Sequence, residues 1–256
     1  MNDLLGLMGK KVLVTGASRG IGYGIAAGFV EAGAELSILA DDAGVHDAAK
    51  RLGGAAVRSF QCDVRDRAAV AAIFSDFGPL DVLINNAGLE LITPLDDFSL
   101  AVDEIFERIL AINVTGTWNV TRAALPLMGQ GGRIVNTASV WGKSAVGGFA
   151  AYIASKHAVI GLTRTFAREL GPRGINVNAV CPGWVRTEAS LRSLKAMSLR
   201  AKRTEDALLG DIHAGQALPG LMNPDDVAGL YVFLASKLAA NITGQAIGVD
   251  RGEFLG

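Results

Sequence analysis

Near the N-terminus the chain reads Lys11-Val12-Leu13-Val14-Thr15-Gly16-Ala17-Ser18-Arg19-Gly20-Ile21-Gly22. The apolar run Lys11–Thr15 predicts a buried strand, and residues 21–32 repeat apolar side chains at helical spacing. The glycines between them let the chain turn tightly and let a phosphate group approach the backbone. The helix N-terminus adds free N–H groups and a partial positive charge. A glycine-rich turn between a strand and a helix predicts a dinucleotide-binding loop, although a purely structural turn has the same composition.

Short apolar runs alternate with longer helical patterns along the rest of the chain. Apolar strands separated by helices are typical of a parallel sheet that is covered on both faces. We therefore predict an α/β fold in which residues 1–256 form a single domain, a Rossmann-like, doubly wound parallel sheet of about seven strands with helices on both faces. Ligands of such sheets bind beyond the carboxyl ends of the strands. The other predicted strands are Leu36–Leu39, Ala56–Cys62, Val82–Asn85, Arg133–Asn136, Ile175–Val180 and Gln245–Val249. The other predicted helices are Val45–Leu52, Arg67–Phe77, Asp97 to about Met128, Ala150–Gly171 and Asp225–Ser236, the last preceded by a less regular polar stretch.

The composition argues against several classes of function. Half of the residues are hydrophobic and the formal net charge is -1, which disfavours nucleic-acid binding because that needs a concentrated positive field. No apolar run is long enough to span a bilayer and the N-terminus lacks signal-peptide features, so we expect a cytoplasmic protein. Cys62 and Cys181 lie in apolar runs and are interpreted as buried free thiols, and the scattered histidines predict no metal site.

Tyr152 and Lys156 stand four residues apart on a predicted helix and therefore share one face. A free tyrosine has a pKa of about 10, and a neighbouring ammonium group favours its ionised form, so the pair suits general acid/base chemistry. Such a pair alone also occurs on many helix surfaces. Ser139 strengthens the interpretation, because it follows a predicted strand at the edge of the sheet where its hydroxyl is able to polarise a substrate oxygen.

In order and spacing, the motifs of this chain resemble those of the short-chain dehydrogenase/reductase family over nearly the whole sequence. The resemblance implies hydride transfer between an alcohol or ketone and a nicotinamide cofactor. It implies that Tyr152 transfers the proton, Ser139 orients the substrate, Lys156 lowers the pKa of Tyr152 and Asn113 holds a relay water. The alternatives are a reductase of 3-oxoacyl thioesters and a dinucleotide-binding sensor without redox activity. The matching elements are the loop from Thr15 to Gly22, Asn85-Asn86-Ala87-Gly88, Asn113, Ser139, Tyr152, Lys156 and Pro182-Gly183.

The resemblance also implies which residues hold the cofactor. Asp63 would bind the adenine edge, although it is also able to cap the next helix, a role for which Asp66 is better placed. The backbone near Val185 and the hydroxyl of Thr187 would hold the carboxamide. The full predicted set is Gly16, Ser18, Arg19, Gly20, Ile21, Gly22, Asp41, Asp63, Val64, Asn86, Ala87, Gly88, Tyr152, Lys156, Pro182, Gly183, Val185 and Thr187.

Asp41 favours NAD over NADP as the cofactor. It follows the second predicted strand, where a carboxylate accepts hydrogen bonds from the adenosine ribose and repels a 2′-phosphate. Arg19 argues in the opposite direction, because a basic residue in the glycine loop sometimes supports NADP. We give Asp41 the greater weight and expect NAD.

Three segments are predicted to wall the substrate pocket: Gly88–Leu91, Val140–Phe149 and a lid around residues 184–222. Ser139 and Tyr152 would hold the substrate oxygen, and Trp141 and Trp184 either contact substrate or seal the pocket. The lid is rich in Arg and Lys, which indicates either an anionic substrate or a solvated helix face. We expect a small polar substrate such as a sugar, sugar acid, polyol or hydroxy acid.

The two longest predicted helices carry more apolar residues than one buried face requires. Family members pair these helices across two-fold axes, so we expect a homotetramer, with a dimer as the smaller alternative. Near the C-terminus Arg251 stands where many relatives have glycine, and the sequence leaves the effect of this difference open.

Overall fold

The computed structural model describes residues 3–255; Met1, Asn2 and Gly256, which the single-domain prediction included, lie outside the described residues. All seven strands of the described part form one parallel sheet in the order β3-β2-β1-β4-β5-β6-β7. The strand order reverses between β1 and β4, which opens a crevice at their carboxyl ends. The predicted fold class is therefore confirmed. The strands are β1 Lys11–Thr15, β2 Glu35–Ala40, β3 Arg58–Gln61, β4 Val82–Asn85, β5 Arg133–Thr137, β6 Asn176–Pro182 and β7 Ala246–Val249.

Helices cover both faces of the sheet, as the apolar strands require. In β1 the side chains alternate, so that Val12 and Val14 join one buried cluster and Leu13 joins the other. The first cluster packs against α1 and α9, and the second packs against α3, α5 and α6. The helices are α1 Gly20–Glu31, α2 Gly44–Gly53, α3 Arg67–Ser75, α4 Leu100–Leu110, α5 Thr117–Ala124, α6 Ala150–Leu170, α7 Glu188–Ala201, α8 Glu205–Ala214 and α9 Pro224–Ala235.

The segment 184–222 is more regular than the sequence suggested, because it contains both α7 and α8. Thr187 caps α7 by accepting a hydrogen bond from the Ser190 N–H in a capping box, and the Thr204 side chain caps α8. The two helices bury Leu194 and Leu208 against the rest of the protein. Their polar outer faces hide the helical period in the sequence, and tertiary packing supplies the stability.

The long helix expected from Asp97 to about Met128 is interrupted in its middle. A π-helical turn, Ala111–Gly116, separates α4 from α5, and a short 3-10 turn follows α5. Gly116 packs so tightly on the loop after β3 that an added Cβ would lie 2.5 Å from a methyl group of Val64. Close packing at this glycine fixes the wider turn, which places Asn113 beside the sheet edge.

Two smaller expectations are also settled by the structure. Asp66 caps α3 as predicted, accepting hydrogen bonds from the N–H groups of Ala68 and Ala69 at 2.9 and 3.0 Å. Cys62 and Cys181 are buried and unpaired. Within residues 3–255, no helix has the length and apolar character needed to cross a membrane.

Arg251 connects the C-terminal tail to the end of the 184–222 segment. Its guanidinium donates to the carbonyl oxygens of Leu218 at 2.7 Å and Pro219 at 3.0 Å, and its own carbonyl accepts from the Leu218 N–H. Its backbone has a φ of +57°, in the left-handed region that favours glycine. The arginine side chain therefore stabilises a connection at a position where its backbone is strained.

We expect Arg251→Ala to be less stable than Arg251→Gly by about 0.5–1 kcal/mol in urea unfolding, because both lose the guanidinium contacts but only alanine keeps the backbone strain. Both variants should be less stable than the original chain. If alanine and glycine gave equal stability, the strain at this position would be negligible.

Candidate active site

A cleft lies at the carboxyl ends of the strands, where doubly wound sheets bind their ligands. Many of the predicted catalytic, substrate and nicotinamide residues meet there. Trp141 and Trp184 pack edge to face at 6.2 Å, and both form part of the wall while remaining almost fully buried. The lining comprises Ile21, Glu90, Thr137, Ala138, Ser139, Val140, Trp141, Tyr152, Pro182, Gly183, Trp184, Val185, Thr187, Ser190 and Glu253.

Ser139 and Tyr152 line this cleft, and the buried Lys156 lies next to Tyr152 on α6. Ser139 follows β5, and its hydroxyl accepts a hydrogen bond from the Trp141 N–H at 3.2 Å. Tyr152 and Lys156 lie on one face of α6, with the Lys156 ammonium 5.4 Å from the centre of the Tyr152 ring. Lys156 also donates to the Thr137 carbonyl oxygen at 2.7 Å, which holds its charge at the end of β5. The arrangement predicted from the sequence spacing is therefore present in three dimensions.

Burial controls the proton equilibria of this centre. Loss of solvent raises the pKa of Tyr152 well above its ordinary value, and the nearby Glu90 carboxyl acts in the same direction, while Ser139 lowers it. Burial lowers the pKa of Lys156 from 10.5 to about 8. The protein by itself therefore holds Tyr152 as a neutral phenol and makes it a weaker acid than a free tyrosine.

Asn113 lies in the π-helical turn next to this centre. Its side chain accepts from the Leu89 N–H at 2.7 Å and donates to the Leu89 carbonyl at 3.0 Å and the Ser155 hydroxyl at 2.9 Å. Its backbone carbonyl accepts a hydrogen bond from the Thr117 hydroxyl. The amide thus fixes the loop after β4 against α6.

The glycine loop has the features that a dinucleotide requires. An added Cβ on Gly22 would lie 2.1 Å from the Gly16 carbonyl oxygen, and one on Gly16 would lie 2.7 Å from Ala87. Gly20 has a φ of +58° at the start of α1. Arg19, the N-cap residue of α1, makes no side-chain capping bond, and the first turn carries no acid. The N–H groups of this helix end are therefore suited to bind an anionic pyrophosphate.

Asn86 joins the glycine loop to the catalytic strand. Its side-chain amide donates to the carbonyls of Thr15 and Gly16 at 3.1 and 3.2 Å and accepts from the Thr137 hydroxyl at 3.2 Å. Asn85 lies deeper, where its amide donates to Thr121 and Asn136. The Asn86 side chain is therefore engaged in contacts within the protein, through which it links the glycine loop to β5. Ala87 and Gly88 follow it directly in the chain.

The acids predicted to meet the adenosine end differ in their surroundings. Asp41 is exposed after β2. Asp42, which the sequence reasoning did not single out, accepts from the Ser18 hydroxyl at 2.8 Å and from Arg19 at 3.0 Å. Asp63 is held by Arg65 at 2.6 Å, and this contact keeps the pKa of Asp63 below its ordinary value.

Two predicted cofactor residues have clear structural contacts of their own. Val64 is buried in the core, and its carbonyl accepts from the Asn119 amide at 3.1 Å. Val185 pairs with Met222 in an isolated bridge at the base of the 184–222 segment. These contacts hold the edges of the cofactor region in place.

Two functional candidates were missed by sequence reasoning. Glu90 was recognised only as part of a wall segment, and Glu253 not at all, yet both line the cleft. Glu90 follows the Asn-Asn-Ala-Gly element by two residues, a position that could have drawn attention to it. Glu253 comes from the distant C-terminal tail, so no local pattern indicates its place.

Comparison with known proteins agrees with this geometry. A family model described as enoyl-(acyl carrier protein) reductase matches residues 16–253. D-beta-hydroxybutyrate dehydrogenase of Cupriavidus necator is 36% identical, with 96% of this chain and 98% of that protein covered. D-threitol dehydrogenase of Mycolicibacterium smegmatis is 37% identical, with coverages of 96% and 93%. A variant of actinorhodin polyketide ketoreductase crystallised with NADPH superposes with a TM-score of 0.88 at 33% identity, covering 96% of this chain and 98% of that one.

The chain belongs to the short-chain dehydrogenase/reductase family. Members of this family that resemble it interconvert secondary alcohols and ketones, and this short-chain dehydrogenase/reductase is an oxidoreductase of the same kind. Its fold is one that takes a nicotinamide dinucleotide. The resemblance recognised from the sequence motifs is thus confirmed.

The buried ammonium of Lys156 gives a prediction about stability. The displacement of its pKa from 10.5 to about 8 corresponds to about 3 kcal/mol, at roughly 1.4 kcal/mol per pKa unit. The unfolded chain binds this proton more tightly, so the protonated lysine destabilises the folded state. This destabilisation is fully present below pH 8 and is lost as the pH rises toward 10.5. Relative to Lys156→Met, the original chain should therefore gain about 2 kcal/mol of stability between pH 7 and pH 10.

Urea unfolding at several pH values measures this difference. Lys50→Met serves as the matched control, because Lys50 is exposed and pairs only with Asp47 at the surface. Its stability difference from the original chain should stay flat over the same range. If the stability difference between Lys156→Met and the original chain were also independent of pH, the prediction of a buried ammonium with a lowered pKa would be wrong.

Proposed function

We propose that this enzyme is an NAD-dependent dehydrogenase of a small polar secondary alcohol, working by general acid/base catalysis at Tyr152. The observation that carries the proposal is the meeting of Ser139 and Tyr152 in one cleft beside the glycine loop, with the Lys156 ammonium next to the Tyr152 ring. When bound, the nicotinamide would accept or supply a hydride at C4. A non-catalytic sensor would have no use for a buried lysine whose charge is costly to hold in this position.

In the proposed mechanism, the Ser139 hydroxyl orients the substrate oxygen and polarises it. Tyr152 donates its phenolic proton to that oxygen during reduction and removes the proton during oxidation. Lys156 supplies the positive charge that makes the phenolate accessible, which offsets the effects of burial and of Glu90. Asn113 is proposed to support the proton path from Lys156 through its position in the π-helical turn.

Tyr152→Phe should reduce kcat by at least about a thousandfold, because it removes the proton donor and leaves the ring in place. NADH binding, followed by fluorescence, should stay within about threefold of the original value. Tyr23→Phe is the control, since Tyr23 lies on α1 and should leave turnover unchanged. A Tyr152→Phe enzyme with half of the original activity would exclude the assignment.

The preference for NAD is proposed from the charges at the adenosine end. Asp41 is exposed after β2, and Asp42 pairs with Arg19, the basic residue of the glycine loop. Glu188 is a second acid near the same guanidinium, with its Oε2 atom 3.6 Å from Arg19 Nε. A 2′-phosphate placed here would meet carboxylates, while the cation that could bind it is already paired.

We expect kcat/KM for NAD to exceed that for NADP by at least about tenfold. This factor requires only about 1.4 kcal/mol of unfavourable charge interaction with the 2′-phosphate of NADP. Asp41→Ala and Asp42→Ala should each lower this ratio, the second by releasing Arg19. Arg19→Gln in the Asp42→Ala background should restore it. A clear NADP preference that Asp41→Ala leaves untouched would overturn the proposal.

We further propose that residues 184–222 act as the substrate lid and that the enzyme is a homotetramer in the cytoplasm. The lid is supported by its short base at Val185 and Met222 and by its contribution to the cleft wall. Phe106 of α4 and Trp118 of α5 are about 40% exposed, which suits a surface covered by a second copy. The free cysteines suit a reducing compartment.

A further inference from the structure

Three residues of the candidate cleft carry buried polar atoms without hydrogen-bond partners. Among the described residues, Glu90 Oε1, Trp184 Nε1 and Glu253 Oε2 are inaccessible to solvent and unpaired, and all three side chains line the cleft. Trp184 is only 7% exposed. A buried unpaired polar group is costly, so native proteins normally provide it with a partner. A molecule bound in the cleft would supply such a partner.

Glu90 is held firmly at the edge of this cleft. Asn113 fixes the preceding residue, Leu89, through both of its backbone groups. Arg192 donates to the Glu90 carbonyl at 3.1 Å from the α7 side. The Glu90 carboxyl is close enough to Tyr152 and Lys156 to influence their charges. Its carboxyl is therefore held in the cleft close to Tyr152 and Lys156.

The charge of the cleft argues against an anionic substrate. Within residues 3–255, the lining contains two carboxyl groups and no Lys, Arg or His side chain. The basic residues of the lid were the reason to consider an anionic substrate, but all of them are exposed. Two of them form surface ion pairs, Arg200 with Asp96 and Arg203 with Asp211. A carboxylate in the cleft would lose solvent and find no lining cation to pair with.

The same groups argue against a cationic substrate. Burial raises the pKa of Glu90 and of Glu253, while Ser193 and Arg192 act in the opposite direction at Glu90. Burial thus favours the neutral carboxyl form, which donates and accepts hydrogen bonds with hydroxyl groups. An ammonium group would instead need the ionised form.

We propose that Glu90 binds a second hydroxyl group of a neutral polyhydroxy substrate, with the indole N–H of Trp184 as the complementary donor. Polyols and sugars have this chemistry, whereas hydroxy acids do not fit it. The inference rests on the proposed dehydrogenase function and narrows its substrate class. A site built to hydrogen-bond a hydroxyl discriminates strongly against analogues that lack it, because its own buried groups then stay unpaired.

A series of four-carbon alcohols tests this assignment with NAD. The probes are threitol, 2,3-butanediol, 2-butanol, 3-hydroxybutyrate and 3-amino-2-butanol. We expect kcat/KM for threitol to exceed that for 2-butanol by at least about a hundredfold, and 3-hydroxybutyrate to fall below 2-butanol. A preference for 3-hydroxybutyrate or for the amino alcohol over threitol would overturn the inference.

Variants of Glu90 then connect the preference to this side chain. Glu90→Leu should lower the ratio of threitol to 2-butanol at least about tenfold, mainly through KM. Glu90→Gln keeps a hydrogen-bonding side chain, so its preference for threitol over 2-butanol should fall less than that of Glu90→Leu. Glu31→Gln, an exposed change at the end of α1, is the control and should leave the ratio as it was. An unchanged ratio in Glu90→Leu would also overturn the inference.

Binding without turnover separates this inference from the proposed function. In Tyr152→Phe loaded with NADH, threitol should change the fluorescence of Trp141 and Trp184, and adding Glu90→Leu should weaken its affinity at least about tenfold. If no alcohol is oxidised but this loss of affinity is seen, the dehydrogenase proposal fails and the role of Glu90 stands. Equal affinity with and without Glu90 would overturn its role, whatever the turnover.

Discussion

The hydroxyl of Thr15, at the end of β1, is the point on which the catalytic edge of the sheet depends. It accepts hydrogen bonds from the N–H groups of Asn86 and Ala87, both at 3.0 Å, and donates to the Ile84 carbonyl. These bonds hold β4 against β1 at the reversal in strand order. The Asn86 amide then reaches back to the glycine loop and across to Thr137. One small set of hydrogen bonds therefore positions both the glycine loop and the end of β5, whose Thr137 carbonyl accepts a hydrogen bond from Lys156.

The glycines of the loop are a direct consequence of this arrangement. Because Asn86 and Ala87 approach the loop so closely, a Cβ on Gly16 or Gly22 would enter space that backbone and amide atoms already fill. The binding loop is thus shaped from within the protein before any ligand is considered. Its exposed side, with an uncapped helix end, is left for the phosphates.

The catalytic centre combines groups whose burial is individually unfavourable. Lys156 loses its contact with solvent and gains a hydrogen bond to the Thr137 carbonyl. Tyr152 becomes a weaker acid in the same environment. Glu90 adds a carboxyl group with an unpaired oxygen. Such groups persist in a stable protein when a bound molecule completes their interactions, and they mark the place where stability is given up for function.

The sequence by itself determined the fold class, the glycine-rich turn and the placing of Tyr152 and Lys156 on one helix face, because these depend on short-range patterns. Strand and helix periods, glycine positions and the spacing of Tyr152 and Lys156 are all local properties of the chain. Two helices in the 184–222 segment were not recognised, because their polar faces obscured the period and their stability comes from packing. The tertiary structure alone decided that Asp42 pairs with Arg19, and that Arg251 clamps the end of the 184–222 segment. It alone placed Glu90 and Glu253 in one cleft, because residues 163 positions apart meet only through the folded sheet and tail. It also decided that the Arg and Lys side chains of the 184–222 segment face solvent, since the direction of a side chain on a helix depends on what that helix packs against.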